Sequence, residues 1–336
     1  MTHSSLPRAH DVRTPPSTQP VLLVVVDTEE EFDWSAPFSR ANTSVSAMKH
    51  VGRAHTVFSR YGIKPTYVMD YPVASQSDGV RPLQELFQSG KCAIGAHLHP
   101  WVNPPHSEVV GPAASFTCNL PPDLQADKLR VLVDAVGEQF DRPPRVFKAG
   151  RYGIGRATTD ILDRMGFQVD NSVCPAMDFT ADGGPSFVDF DACPFFLTPA
   201  LLECPCTVDF VGWLGPLGAS GHRLAETPSL RRMRAVGVLS RLRAVRRIML
   251  SPEGNTVEEM RTLAQVLYQR GLRVFTLSYH SPSLVPGHTP YVRSQKDLER
   301  FLACLDEFCE FFMHELKGRT TTAEELREEM MLESNR

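Results

Sequence analysis

Along this chain, short and wholly apolar runs alternate with longer stretches in which apolar residues return every third or fourth position. The first pattern predicts strands buried on both faces, and the second predicts helices with one buried side. Strands are expected at 21–27, 64–69, 92–97, 145–150, 167–173 and 272–279. Helices are expected near 46–61, 80–89, 122–139, 157–165 and 256–270, with a last one at 295–317. In the first helix Val51, Ala54, Val57, Phe58 and Tyr61 make the buried side, and Gly62 ends it. Segment 100–120, with Pro104, Pro105 and Pro112, reads as a long loop. Residues 176–215 break the rhythm with short strands and predict an excursion or hairpin. The alternation of strand and helix predicts an α/β fold with a parallel sheet.

Composition narrows this. The 336 residues exceed the ~250 typical of one α/β barrel, so one large domain with insertions is expected. Residues 1–20 are polar and rich in Pro and Ser, without the apolar stretch of a secretory signal. They read as a disordered tail, followed by a barrel domain over 21–318 and a charged tail or frayed helix over 319–336. A formal charge of −4 does not select nucleic acid or an anionic membrane. No apolar run approaches the ~20 residues of a membrane span, so a cytoplasmic location is expected. The eight cysteines are scattered, which fits reduced thiols. Cys204-Pro205-Cys206 lacks the spacing of a metal or redox pair.

One stretch is strongly basic. Over 229–250, helical spacing carries Arg231, Arg232, Arg234, Arg241, Arg243, Arg246 and Arg247 opposite Leu230, Met233, Val236, Leu239, Leu242 and Val245. A solvated face is the plain reading. Docking of an anionic glycan or a lipid headgroup is the other.

The candidate chemistry sits at strand ends. The 92–97 strand runs into His97-Leu98-His99-Pro100-Trp101, and residues two apart share a strand face. Both imidazoles then point to one spot, which is the beginning of a metal site. The 21–27 strand ends in Asp27-Thr28-Glu29-Glu30-Glu31, so carboxylates and imidazoles meet if the two strands are neighbours. Motifs at the C-terminal ends of several parallel strands point to a barrel with its site at that rim. No Gly-rich phosphate loop is present, and Gly150-Arg151-Tyr152-Gly153-Ile154-Gly155 has the wrong spacing for a dinucleotide loop.

In order, the motifs are Asp27-Thr28-Glu29, His97-Leu98-His99, Gly150-Arg151-Tyr152-Gly153, Asp170-Asn171-Ser172 and Tyr279-His280-Ser281-Pro282. From about Val21 to Phe312 this series resembles the polysaccharide deacetylase superfamily (NodB homology, carbohydrate esterase family four). Its wording is nearest to the WalW-type branch. The resemblance implies a distorted (β/α) barrel of about seven parallel strands, one divalent metal ion with zinc the leading choice, and an acetylated carbohydrate as substrate. It implies Asp27 as general base, and Glu29, displaced by one residue from the family's position, as the metal carboxylate. The family's two histidines lie four residues apart, whereas Trp101 is fourth from His97 here. His97 and His99 are therefore the candidate ligands, with His106 as an alternative second histidine. Arg151 matches an arginine that braces the catalytic carboxylate. Asp170 matches an acid near the rim, able to keep a neighbouring histidine charged. His280 matches the proposed general acid.

Other positions carry two readings. Glu30 and Glu31 read as a solvated acidic stretch rather than as catalysts. Asp33, Trp34 and Tyr152 are candidates to line a sugar subsite, since aromatic rings stack on sugars, and loop packing is the alternative for the first two. Trp101 is as well suited to a lid over the metal as to the core. The leading function is a metal-dependent deacetylase in surface-polysaccharide or cell-envelope glycan metabolism. The alternatives are a metal-independent hydrolase of a non-peptide C–N bond in a small molecule, and a non-catalytic glycan-binding barrel. Oligomeric state is open.

Overall fold

A computed structural model describes residues 6, 10–11, 18–212 and 246–334. Its strands are β1 (His10–Asp11), β2 (Val21–Thr28), β3 (Thr66–Met69), β4 (Ala93–Leu98), β5 (Val146–Ala149), β6 (Val169–Asp170), β7 (Phe195–Phe196), β8 (Leu202–Glu203), β9 (Val208–Val211), β10 (Arg246–Met249), β11 (Val274–His280) and β12 (Arg319–Thr320). Its helices are α1 (Gly52–Arg60), α2 (Tyr71–Ser75), α3 (Ser77–Gln88), α4 (Pro122–Phe140), α5 (Arg156–Arg164), α6 (Val257–Gln269), α7 (Gln295–Glu310) and α8 (Ala323–Ser334). Capping boxes at Thr256 and Ser294 start α6 and α7 by satisfying backbone N–H groups of the first turn. No helix among the described residues is long and apolar enough to cross a membrane.

Strands β11, β2, β3, β4, β5, β6 and β8 lie side by side and parallel. Helices cover the outside, giving the distorted (β/α) barrel expected from the motif series. The antiparallel hairpin of β9 and β10 spans the gap between β8 and β11. Thr207 Oγ1 accepts from Thr276 N at 2.8 Å, and Ser278 N donates to Leu250 O at 3.2 Å.

Alternation along β2 divides the core. Leu22, Val24 and Val26 pack with the outer helices, whereas Val21, Leu23 and Val25 pack with Val68, Val146, Val169 and Val274 in the barrel interior. Gly95 marks how narrow that interior is: a Cβ there would lie 2.7 Å from both Val146 O and Val68 Cγ1. The parity fixes where the strand-end residues point. Asp27, His97, Lys148 and His280 continue the inward sets of β2, β4, β5 and β11.

Three expectations change. His10 and Asp11, inside the segment read as a disordered tail, pair antiparallel with Phe196 and Phe195. The C-terminal segment is ordered: β12 pairs with Val21 and Leu22, and Ala323, Leu326 and Met330 of α8 close the interior from below. The basic helix expected at 229–250 lies mostly outside the described residues, but its last part is strand β10. There the hairpin ladder with β9 outweighs the helical spacing, because each backbone group finds a partner across the pair.

Candidate active site

At the C-terminal rim Glu29 Oε2 lies 3.6 Å from His97 Nε2 and 3.4 Å from His99 Nε2. All three side chains are buried. The tautomer of His97 follows from its partner. His97 Nδ1 lies 2.9 Å from Lys148 O, a carbonyl that can only accept, so Nδ1 carries the proton and Nε2 keeps its lone pair. His99 Nδ1 lies 2.7 Å from Glu30 Oε2. Burial pushes both imidazoles toward the neutral form, His99 to a pKa of about 4. Glu29 Oε1 is buried and makes no hydrogen bond. A lone carboxylate oxygen beside two imidazole lone pairs is satisfied by a cation, and Glu29, His97 and His99 offer ligand atoms within 4.8 Å of one another. The residues therefore fit a divalent ion, and three protein ligands leave a position open for water or substrate. His106 is exposed, near Lys128, Arg40 and Glu108, and is in neither of the two ligand clusters found among the described residues.

Asp27 stands beside this pocket. Both of its oxygens accept from Lys148 Nζ, at 2.8 and 2.7 Å, and the pair is almost fully buried. Burial works against the Asp27 charge, but the Lys148 ammonium, with His97 and His280 nearby, outweighs it and holds the pKa below the usual value. The sequence reading gave the bracing of Asp27 to Arg151. The structure turns Arg151 elsewhere: its guanidinium donates to Ser115 Oγ and to Asp182 Oδ2, both at 2.8 Å, and lies over the Phe116 ring. Arg151 and Tyr152 both have positive φ, so the chain turns sharply here and carries the Arg151 side chain away from Asp27.

His280 faces Asp27 from β11, with Nε2 3.6 Å from Asp27 Oδ2. Its Nδ1 lies 2.7 Å from Glu253 Oε2, and its backbone N donates to Glu253 Oε1 at 3.1 Å. Burial alone would discharge this ring, but Glu253, with Glu29 and Asp27, raises its pKa to about 10. The partner expected for such a role was Asp170. It faces the other way, because Val169 occupies the inward position of β6 and alternation turns Asp170 outward. There it accepts from Ser172 Oγ at 2.6 Å beside Glu203 on β8, and burial raises the pKa of both acids.

Sequence reasoning missed Lys148, Glu253 and the role of Glu30. Lys148 had a signal: a single lysine inside an apolar strand needs a buried acid. Glu253 was hidden because β10 read as helix, so the turn after it was not seen as a strand end. Asn255 holds that turn, donating from Nδ2 to the carbonyls of Met249, Ser251 and Glu253. Glu30, read as solvated, is fully buried against His99, Trp101 and Asp70. Glu31 accepts from Ser44, Ser46 and the backbone N of Ala47, and so fastens a loop.

Trp101 is 2% exposed and stacks on His99, so it packs behind the ligand and is closed to substrate. Trp34 is 36% exposed and meets His280 edge-on at 5.0 Å. It also lines a cavity of about 930 Å³ with Phe32, Asp33, Asn42, His288 and Arg293. Tyr152 is half-buried, with its ring 5.5 Å from Lys148 Nζ and stacked on Phe179.

The sequence matches no family model and no curated protein. Its fold does match solved structures. A putative polysaccharide deacetylase from Mycobacterium smegmatis aligns with a TM-score of 0.55 at 12% identity, over 98% of this chain and 96% of that one. The Bc1960 peptidoglycan N-acetylglucosamine deacetylase aligns with a TM-score of 0.48 at 7% identity, over 95% and 92%. BA3943, a CE4 family pseudoenzyme from Bacillus anthracis, aligns with a TM-score of 0.44 at 10% identity, over 94% and 67%. A shared fold leaves catalysis to be argued from the residues. In its fold, this chain is similar to that putative polysaccharide deacetylase.

Proposed function

We propose that this chain is a metal-dependent hydrolase that removes an acetyl group from an N- or O-acetylated sugar, in surface-polysaccharide or cell-envelope glycan metabolism. The observation that carries the reading is the convergence of Glu29, His97 and His99 on one buried point, beside Asp27 and the pair formed by His280 and Glu253. Glu29, His97 and His99 would hold the ion, and imidazole with carboxylate suits zinc among first-row metals. When bound, such an ion polarises the acetyl carbonyl and eases deprotonation of a water.

The protein's own groups supply the proton transfers. Asp27, kept ionised by Lys148, takes the proton of the attacking water as general base. His280, kept charged by Glu253, lies on the other side of Asp27 and gives a proton to the departing amine or alkoxide. Lys148 supports both the base and one ligand. Its ammonium grips Asp27, and its carbonyl orients His97. Trp34, partly exposed beside His280, offers a face to the sugar, and the neighbouring cavity has room for the rest of the substrate. Tyr152 lines the Lys148 side.

The test is metal content of purified protein by elemental analysis, followed by acetate release from N-acetylglucosamine oligomers and from O-acetylated xylan. About one zinc per chain, lost in His97→Ala, together with acetate release supports the reading. Protein that takes up no metal after reconstitution overturns it.

A further inference from the structure

Glu30 sits one residue from the carboxylate assigned to the metal, yet it points the other way along β2. Its side chain is completely buried, and each oxygen meets a ring nitrogen. Oε2 lies 2.7 Å from His99 Nδ1, and Oε1 accepts from Trp101 Nε1 at 2.8 Å. Its backbone N donates to Asp70 Oδ2 at 2.6 Å, while Asp70 Oδ1 caps α2 by accepting from Val73 N at 2.8 Å. Trp101 also stacks on His99, with ring centroids 4.3 Å apart and planes 25° from parallel. The His99 ring also meets Gly150, where a Cβ would lie 2.3 Å from His99 Cδ2. The imidazole is thus packed between neighbours and held at its Nδ1 edge, with Nε2 facing Glu29.

From this geometry we infer that Glu30 is a positioning residue for the metal ligand His99: it holds the Nδ1–H tautomer and aims Nε2 at the ion, with Trp101 fixing Glu30 in turn. A ligating histidine is strengthened and oriented when a carboxylate accepts the proton on its other nitrogen. The arrangement explains how a His-x-His pair is made competent here. His99 lies on the inward face at the strand's end, where it needs an external support, and residue 101 supplies that support as tryptophan. Asp70, reached through the Glu30 backbone, ties the support to the start of α2.

The inference rests on the metal reading above, so the experiment separates the two. Zinc affinity is measured by competition with a chromophoric chelator for the wild type, Glu30→Gln and Trp101→Phe. In parallel, 15N spectra of histidine-labelled, metal-free protein report the His99 tautomer. Glu30→Gln is expected to weaken zinc binding by about 10- to 100-fold and to mix the tautomers. Trp101→Phe keeps the stacked ring and removes only the donor to Glu30, so a smaller loss in the same direction is expected. If Glu30→Gln does not fold, Trp101→Phe decides. Wild-type zinc affinity in the variants, with only the melting temperature lowered, overturns the inference and leaves Glu30 a structural group. A wild type that binds no zinc overturns the metal reading itself.

Discussion

On the β4 side of the rim, His97 and His99 are enclosed, each with Nδ1 held by an acceptor, and burial keeps both rings neutral. On the β11 side, His280 retains 22% exposure of its side chain, grips Glu253, and is raised to about 10. The three imidazoles share one rim and differ in which neighbour dominates. Near His97 and His99, loss of water wins and leaves lone pairs for a cation. Near His280, a carboxylate at 2.7 Å wins and leaves a proton to donate. In the proposed function one residue type thus supplies both ligand and acid, and the surroundings decide which.

The strongest way to break this division is to remove the base between the two regions. Asp27→Asn is expected to lower the rate of acetate release by about 10²- to 10⁴-fold. Zinc content should stay near the wild-type level, because Glu29, His97 and His99 remain. Loss of zinc in this variant would show that Asp27 belongs to the ligand set.

Lys148→Met leaves the Asp27 carboxylate buried without its cation. A loss of about 3–5 kcal/mol in stability is expected, read by urea denaturation at pH 7. The effect fades with acid. Since the folded pKa of Asp27 is depressed, its contribution in the wild type is present above the ordinary carboxylate range and fades as pH falls through the folded value. The difference between wild type and variant should therefore shrink at low pH.

Glu253→Gln sharpens the comparison by turning the His280 environment toward that of His97. The pKa of about 10 should fall, so the alkaline limb of the pH–rate profile moves to lower pH and activity at pH 8 drops by roughly 10-fold or more. In the wild type, the stability linked to His280 is complete below its ordinary value of 6.5 and is lost as pH rises through about 10. An unshifted alkaline limb would assign the acid to another group.

The smallest effect is expected for Arg151→Ala. Its guanidinium serves Ser115, Asp182 and the Phe116 ring, so acetate release should stay within about fivefold of wild type, while stability falls by about 1–2 kcal/mol. A loss as large as that of Asp27→Asn would restore the bracing role to Arg151.

These assignments also show what could be read from the chain before its fold was known. The strand–helix alternation and the inward face of β2 were legible, because continuous apolar runs such as 21–26 have no other stable use. Asp27, Glu29, His97, His99 and His280 could be placed at strand ends from the same pattern. The partners could not. Glu253 follows a strand only four residues long, whose spacing imitates a helix when read without its hairpin mate. Asp170 was misplaced because its segment suggested a longer strand, and the parity that turns it outward depends on where that strand begins. Arg151 matched by position in a motif, but a left-handed turn decided its direction. Partner choice depends on register and on side-chain direction, and neither is a local property of sequence.

The pairing of β12 with β2 has a consequence for how the molecule is assembled. Thr320 Oγ1 reaches Leu22 O across 298 positions of sequence, and β2 is otherwise lined by β3 and by β11, which comes some 250 residues later in the chain. β3 is available to pair early, whereas β11 and β12 can join β2 only after most of the polypeptide has been made. Because β2 carries Asp27, while His280 arrives on β11, the Asp27–His280 pair cannot form on a nascent chain that stops short of β11. An incomplete product is therefore expected to release no acetate, although it already carries Glu29, His97 and His99.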